Sequence, residues 1–75
     1  MDLQYELGRV AQVNQDIKTA NARIAELTLE ASKLERVGQD VTEIRATLQR
    51  CNAVVDHMVR ERDKLTLMIA KALVQ

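Results

Sequence analysis

The amino-acid sequence predicts an all-α protein: an antiparallel two-helix hairpin with coiled-coil-like packing, which dimerises into a four-helix bundle. Three observations predict this fold. The 75-residue chain has no proline and two glycines, so long uninterrupted helices are favoured. A signal that stops one helix is followed at once by a signal that starts another. On both sides of that point, apolar residues recur every seven positions, which is typical of helices that pack along one seam.

The turn is predicted at residues 38–40, between a first helix over about residues 2–37 and a second over about 41–74. Gly38 favours the left-handed conformation that ends a helix, because it has no Cβ. Asp40 and Glu43 have the spacing of a capping box, in which the Asp40 carboxylate accepts from the Glu43 amide and the Glu43 side chain reaches back. So short a turn between helices of equal length makes them lie side by side as one domain.

The predicted seam uses two heptad positions in each helix. In the first helix these are Leu3, Val10, Val13, Ile17, Ala20, Ile24, Leu27, Ala31 and Leu34. In the second they are Val41, Ile44, Leu48, Cys51, Val55, Met58, Leu65, Ile69 and Ala72. Glu6 and Arg62 are charged exceptions at seam positions. Arg62 is predicted to pair with Asp16 across the hairpin and set the register; a functional arginine at a partner surface is the alternative.

The apolar residues near the C-terminal end of the chain predict self-association. Residues 65–74 are apolar on all sides of the helix, apart from Thr66 and Lys71, and one neighbouring helix cannot cover such a surface. The predicted oligomer interface consists of Leu7, Val54, Val59, Leu67, Met68, Leu73 and Val74. A homodimer is the expected assembly, and a loosely packed terminus is the alternative. Whether this surface binds a second copy or a different protein stays open.

Candidate chemistry is sparse, and an enzyme, a metal site and a bound cofactor are not expected. His57 has no second His or Cys three or four residues away, so a solvated histidine is the simpler interpretation. Cys51 occupies a seam position, where an inert thiol is expected, and Arg50 is expected to point to another face. The single cysteine and the N-terminal sequence, which lacks signal-peptide features, predict a cytoplasmic location. The longest apolar run, residues 67–70, is too short to span a membrane.

Charge argues against nucleic acid as the main partner. Eleven basic residues balance eleven acidic ones, so there is no electrostatic reason to expect a nucleic-acid or membrane partner. The run at residues 60–64 mixes signs, as a salt-bridged helix surface does. Architecture alone supports the alternative of a dimeric RNA- or DNA-binding regulator like the plasmid copy-number regulator Rop. The first interpretation is a non-enzymatic, self-associating interaction or adaptor module.

Four segments between residues 20 and 66 carry a family resemblance. They are Ala22-Arg23-Ile24-Ala25, then Leu34-Glu35-Arg36-Val37-Gly38-Gln39-Asp40, then Arg45-Ala46-Thr47-Leu48, and Arg62-Asp63-Lys64-Leu65. The chain resembles short uncharacterised alphaproteobacterial helical-hairpin proteins, which have a Gly-x-Asp turn between two long helices. The resemblance implies a bacterial cytoplasmic hairpin and implies no activity.

Overall fold

The computed structural model describes residues 2–74 and contains two helices packed against each other. Helix α1 spans Leu3–Arg36, and helix α2 spans Thr42–Leu73. No strand occurs within these described residues. Contacts between the helices near the turn (Glu35 with Arg45) and far from it (Asn14 with Arg62) require an antiparallel arrangement. The hairpin is rod-shaped, with principal extents of 59 × 15 × 13 Å.

Helix α1 begins with a side-chain cap. The Asp2 carboxylate accepts hydrogen bonds from the backbone amides of Gln4 and Tyr5, at 3.1 and 3.3 Å. Amides in the first turn of a helix have no partner within the helix, so an aspartate at this position satisfies them. The negative charge also lies at the positive end of the helix dipole.

Helix α1 ends at Arg36, and the chain turns away at Gly38 through paired backbone hydrogen bonds. Gly38 has a φ of +75°, as expected from the sequence. Its amide donates to the Glu35 carbonyl at 3.1 Å, and the Gln39 amide donates to the Leu34 carbonyl at 3.0 Å. This is the Schellman pattern, in which a left-handed residue turns the chain back so that the last carbonyls are satisfied.

The start of α2 corrects the predicted capping box. Asp40 accepts from the amide and the hydroxyl of Thr42, at 2.9 and 2.6 Å, and not from the Glu43 amide. Val41 is the residue that precedes the helix, and it has no side-chain cap. The helix therefore starts one residue later than expected. An aspartate two residues before an amide closes an Asx turn, which replaces the reciprocal box.

The seam follows the predicted heptad. In α1, every residue that is not exposed lies at one of the two seam positions. In α2 the seam residues are also shielded, joined by half-buried side chains at Ala46, Thr47, Val59 and Glu61. Within residues 2–74 the buried side chains are Ile17, Leu27, Ala31, Leu65 and Ile69, and none of them is completely removed from water. One hairpin therefore makes only a narrow core.

Candidate interaction surfaces

Large apolar side chains remain exposed at the open end of the hairpin, which is the end opposite the turn. The exposed fraction is 54% for Leu7, 48% for Met68 and 67% for Leu73. The other predicted interface residues are also exposed, namely Val54, Leu67 and Val74, except that Val59 is half-buried. Exposed apolar side chains occur singly on most proteins, but a cluster at one end of a small helical protein indicates a contact surface.

These apolar residues do not share one face of the hairpin. Residues spaced by seven lie along one stripe of a helix. In an antiparallel pair, the stripes that occupy the same heptad position beside the seam in the two helices lie on the same side of the hairpin. Glu35 pairs with Arg45, so the stripes through these two residues define one side. Leu7, Val59 and Leu73 belong to this side. Val54 and Met68 belong to the opposite side, and Leu67 and Val74 point outwards from α2.

The side marked by Glu35 and Arg45 is here called the neutral flank. Beside the seam, its α1 row consists of Leu7, Asn14, Asn21 and Thr28, and its α2 row consists of Asn52, Val59, Thr66 and Leu73. Neither row contains a charged residue until the Glu35–Arg45 ion pair near the turn. The surface changes along its length, from amide and hydroxyl side chains in the middle to leucines at the open end.

The opposite side is here called the charged flank. Its row in α1 consists of Arg9, Asp16, Arg23 and Glu30, preceded by the capping residue Asp2. Its row in α2 contains Glu61 beside Thr47, Val54 and Met68, and Asp40 precedes that helix. Arg9 pairs with Glu6 at 3.1 Å, and its guanidinium carbon lies 5.9 Å from the centre of the Tyr5 ring. These contacts connect neighbouring turns of one helix at the surface, where they contribute little to stability.

Arg62 binds a different partner from the one predicted. Its Nη1 donates to Asn14 Oδ1 at 3.3 Å, and its Nε and Nη2 approach Asp63 Oδ1 at 3.4 and 3.3 Å. Asp16 instead accepts from Gln12 at 3.0 Å, so the predicted pair of Asp16 with Arg62 is not formed. Asn14 and Asp16 are two residues apart, about 200° around a helix. They therefore lie on opposite sides of the seam, and Arg62 reaches towards the neutral flank.

Cys51 lies in a shallow groove on the charged flank. The groove is lined by Ala20, Arg23, Thr47, Arg50, Cys51 and Val54, and the thiol is half-buried. Arg50 therefore shares this groove, contrary to the expectation that it points elsewhere. Arg50 donates to the Thr47 hydroxyl at 3.2 Å, and Arg23 pairs with Glu26 at 3.4 Å. Both guanidinium groups are thus engaged within their own helices.

His57 is exposed. Residues 2–74 contain no group of three or more His, Cys, Asp or Glu side chains arranged to hold a metal ion. In the same part of the chain, neither helix combines the length and hydropathy needed to cross a bilayer.

Comparisons with known proteins give no assignment. No protein-family model matches the chain, and neither a curated protein nor a solved structure shows significant similarity to it.

The contrast between the two flanks is the feature that sequence reasoning missed. Its signal was present in the sequence, because Leu7, Asn14, Asn21 and Thr28 repeat at heptad spacing immediately after a seam residue. The apolar positions identify only the seam, whereas the contrast in charge lies in the polar positions beside the seam. A search for charge along each flanking stripe separately would have found it.

Proposed function

We propose that the protein is a non-enzymatic helical interaction module that acts as a homodimer, with two hairpins forming a four-helix bundle. The observation that carries this proposal is the set of exposed apolar side chains at the open end, Leu7, Leu67, Met68, Leu73 and Val74. A hairpin buries one stripe of each helix, and a second hairpin supplies the apolar contacts that this end lacks.

The narrow core supports the same proposal. None of the buried side chains of residues 2–74 is completely inaccessible to water. Small domains with little buried surface depend on disulfides, metals or association for stability. Cys51 is free, so association is the source of stability that fits this chain. A free thiol also fits the reducing cytoplasm of a bacterial cell, the location that we propose.

A nucleic-acid regulator of the Rop type receives less support. Proteins that bind nucleic acids through the phosphate backbone present free basic side chains. Here five of the eleven basic residues, Arg9, Arg23, Arg45, Arg62 and Lys64, pair with a carboxylate. Eleven acidic residues balance the eleven basic ones, so the chain has no excess of positive charge to attract a phosphate backbone. The exposed apolar side chains at the open end are a more distinctive feature than the basic side chains. An apolar surface matches a protein partner better than it matches a nucleic acid.

Sedimentation equilibrium at micromolar concentration tests the proposal. The wild-type chain should have the mass of a dimer. Replacing Met68 and Leu73 together by Glu should give monomers that lose most of their helical circular dichroism, because folding and association are coupled.

The matched control adds two glutamates on the outer side of α1, as Gln15→Glu with Ala22→Glu, where both residues are exposed. This control should stay dimeric and helical. A wild-type chain that is monomeric and stably helical would reject the proposal.

A further inference from the structure

The neutral flank is unusual for a surface that faces water. Charged residues make up 29% of the chain, yet its two rows have none between the open end and the Glu35–Arg45 pair. Covering these uncharged rows avoids the free-energy cost of desolvating charged side chains, which is large for an unpaired charge. Charged residues are depleted at the cores of protein interfaces for the same reason. Between the open end and the Glu35–Arg45 pair, the guanidinium of Arg62 reaches the flank, and it is already bonded to Asn14 and Asp63.

The apolar surface of the open end is continuous with the neutral flank. From Leu73 it extends around α2 through Ala70 to Leu67 and Val74, without a charged residue in that end of the helix. On the other side of Leu67 and Val74, Lys64 and Lys71 separate this surface from Met68. Of the exposed apolar side chains at the open end, Leu7 and Leu73 therefore lie on the neutral flank itself. Leu67 and Val74 continue that surface around the outer side of α2, and Met68 lies apart from it.

We propose that the second copy packs on the neutral flank with both turns at the same end, an inference that rests on the proposed self-association. The two-fold axis then runs along the length of the hairpin. Each α1 lies against the α2 of the other copy, and all neighbouring helices of the four-helix bundle are antiparallel. Val54 and Met68, on the charged flank, stay outside the contact.

Charge complementarity selects this orientation. With the turns together, Glu35 of one copy faces the partner's Arg45, and Arg45 faces the partner's Glu35, so four alternating charges close one end of the bundle. The leucines of the two open ends meet at the other end. With one copy reversed, each Glu35–Arg45 pair would lie on the apolar open end of the other copy, where its charges would be desolvated without new partners.

The size of the flank is sufficient for a stable dimer. A face of 59 by 15 Å presents on the order of 900 Å², and a standard protein interface buries about 800 Å² on each partner. In this register Asn14 faces Thr66 of the other copy and Thr28 faces its Asn52, so these polar side chains can pair across the contact, whereas Asn21 faces Val59. A buried asparagine of this kind sets register and oligomer order in helical assemblies.

Two single substitutions at the same end of α2 test which flank is covered. Leu73→Glu places a carboxylate on the neutral flank, and its matched control Met68→Glu places one on the charged flank. We expect Leu73→Glu to raise the dimer dissociation constant at least ~tenfold, because the new charge is desolvated, with little change for Met68→Glu. Equal effects, or a larger effect of Met68→Glu, would overturn the assignment of the flank. The proposed function would survive that result as long as the wild-type chain is a dimer.

Disulfide formation between copies tests the orientation. Thr28→Cys and Asn52→Cys are made in separate chains that both carry Cys51→Ser, and the two chains are refolded together before oxidation. With the turns at the same end, residue 28 of one copy faces residue 52 of the other, so the mixed disulfide should exceed either homodisulfide. The control combines Thr28→Cys with Ala53→Cys, on the outer side of α2. A mixed disulfide no more abundant than in this control, from chains that remain dimeric, would overturn the proposed orientation.

Discussion

The two glycines of the chain have opposite effects on stability. Gly38 adopts a left-handed conformation with φ of +75°, which costs an L-residue about 1–2 kcal/mol. Gly8 lies within α1, and a Cβ added there meets no atom within 4 Å. Glycine in the middle of a helix destabilises it because more backbone freedom is lost on folding.

We therefore predict opposite signs for two alanine substitutions. Gly38→Ala should lower the free energy of unfolding by about 1–2 kcal/mol, and Gly8→Ala should raise it by roughly 0.5–1 kcal/mol. Urea unfolding followed by circular dichroism, at one protein concentration, measures both. A neutral or stabilising Gly38→Ala would contradict the left-handed turn.

Asp40 makes the start of α2 sensitive to acid. Hydrogen bonds from the Thr42 hydroxyl and then from the Thr42 amide hold the pKa of the Asp40 carboxyl below its ordinary value of 3.8. A lowered pKa in the folded state means that the ionised group stabilises the fold. That contribution is fully present above the unfolded pKa and is lost as the pH falls through the folded pKa.

The prediction concerns the difference in Tm between wild type and Asp40→Ala. The wild type should have the higher Tm by a constant amount from pH 7 to about pH 5, and the difference should shrink below about pH 4. Thermal unfolding by circular dichroism from pH 7 to pH 3 measures it, and the alanine variant supplies the baseline for all other carboxylates. A difference that stays unchanged down to pH 3 would argue against the ionised cap.

At the scale of the elements, Arg62 is the polar group that connects α2 to α1 within the apolar seam. Its side chain is 32% exposed, so its methylene groups pack while the guanidinium reaches Asn14. A polar contact in an apolar seam disfavours sliding of one helix along the other, because any shift leaves the guanidinium without its partner.

A double-mutant cycle of Asn14→Ala with Arg62→Ala should show a coupling energy of about 0.5 kcal/mol, as expected for a partly exposed hydrogen bond to a charged group. The same cycle with Asp16→Ala in place of Asn14→Ala is the control, and its effects should add. Urea unfolding of the four variants in each cycle supplies the energies. Coupling to Asp16 and not to Asn14 would mean that Arg62 turns to the charged flank in solution.

At the scale of the whole molecule, the Glu35–Arg45 pair gives a further prediction on the orientation of the dimer. Glu35→Arg places four basic side chains at the turn end of a dimer with both turns together, and Arg45→Glu places four acidic ones there. Each variant alone should dimerise more weakly than wild type. An equimolar mixture should form heterodimers in excess of either homodimer, as native mass spectrometry at low salt would measure, because opposite charges then face each other.

Salt provides the control for this experiment, since the preference for the heterodimer should diminish as ionic strength rises. The reversed orientation places the turn ends far apart. At low salt the opposite net charges of the two variants would still favour the heterodimer weakly, but at about 0.15 M ionic strength, where the Debye length is ~8 Å, the reversed orientation predicts a nearly statistical mixture of the three dimers.

Much of the fold follows from local signals in the sequence. The heptad spacing of Ile17, Leu27 and their neighbours identified the seam, because residues on one stripe of a helix are determined by its period. Gly38 located the turn, because the conformation required there excludes a Cβ. Both helices and their bounds, within about a residue, were therefore expected from the residues themselves.

The tertiary structure decided which residues meet across the seam and beside it. Arg62 contacts Asn14 and not Asp16, Arg50 shares a groove with Cys51, and Asp40 bonds Thr42 in place of Glu43. The contrast between a neutral and a charged flank is present in the flanking heptad positions of the sequence, and the contact of Glu35 with Arg45 identifies the two stripes that share one side. The helical period defines the stripes of each helix. The rotation and axial offset of one helix against the other, which result from packing the whole seam, determine which stripes become neighbours.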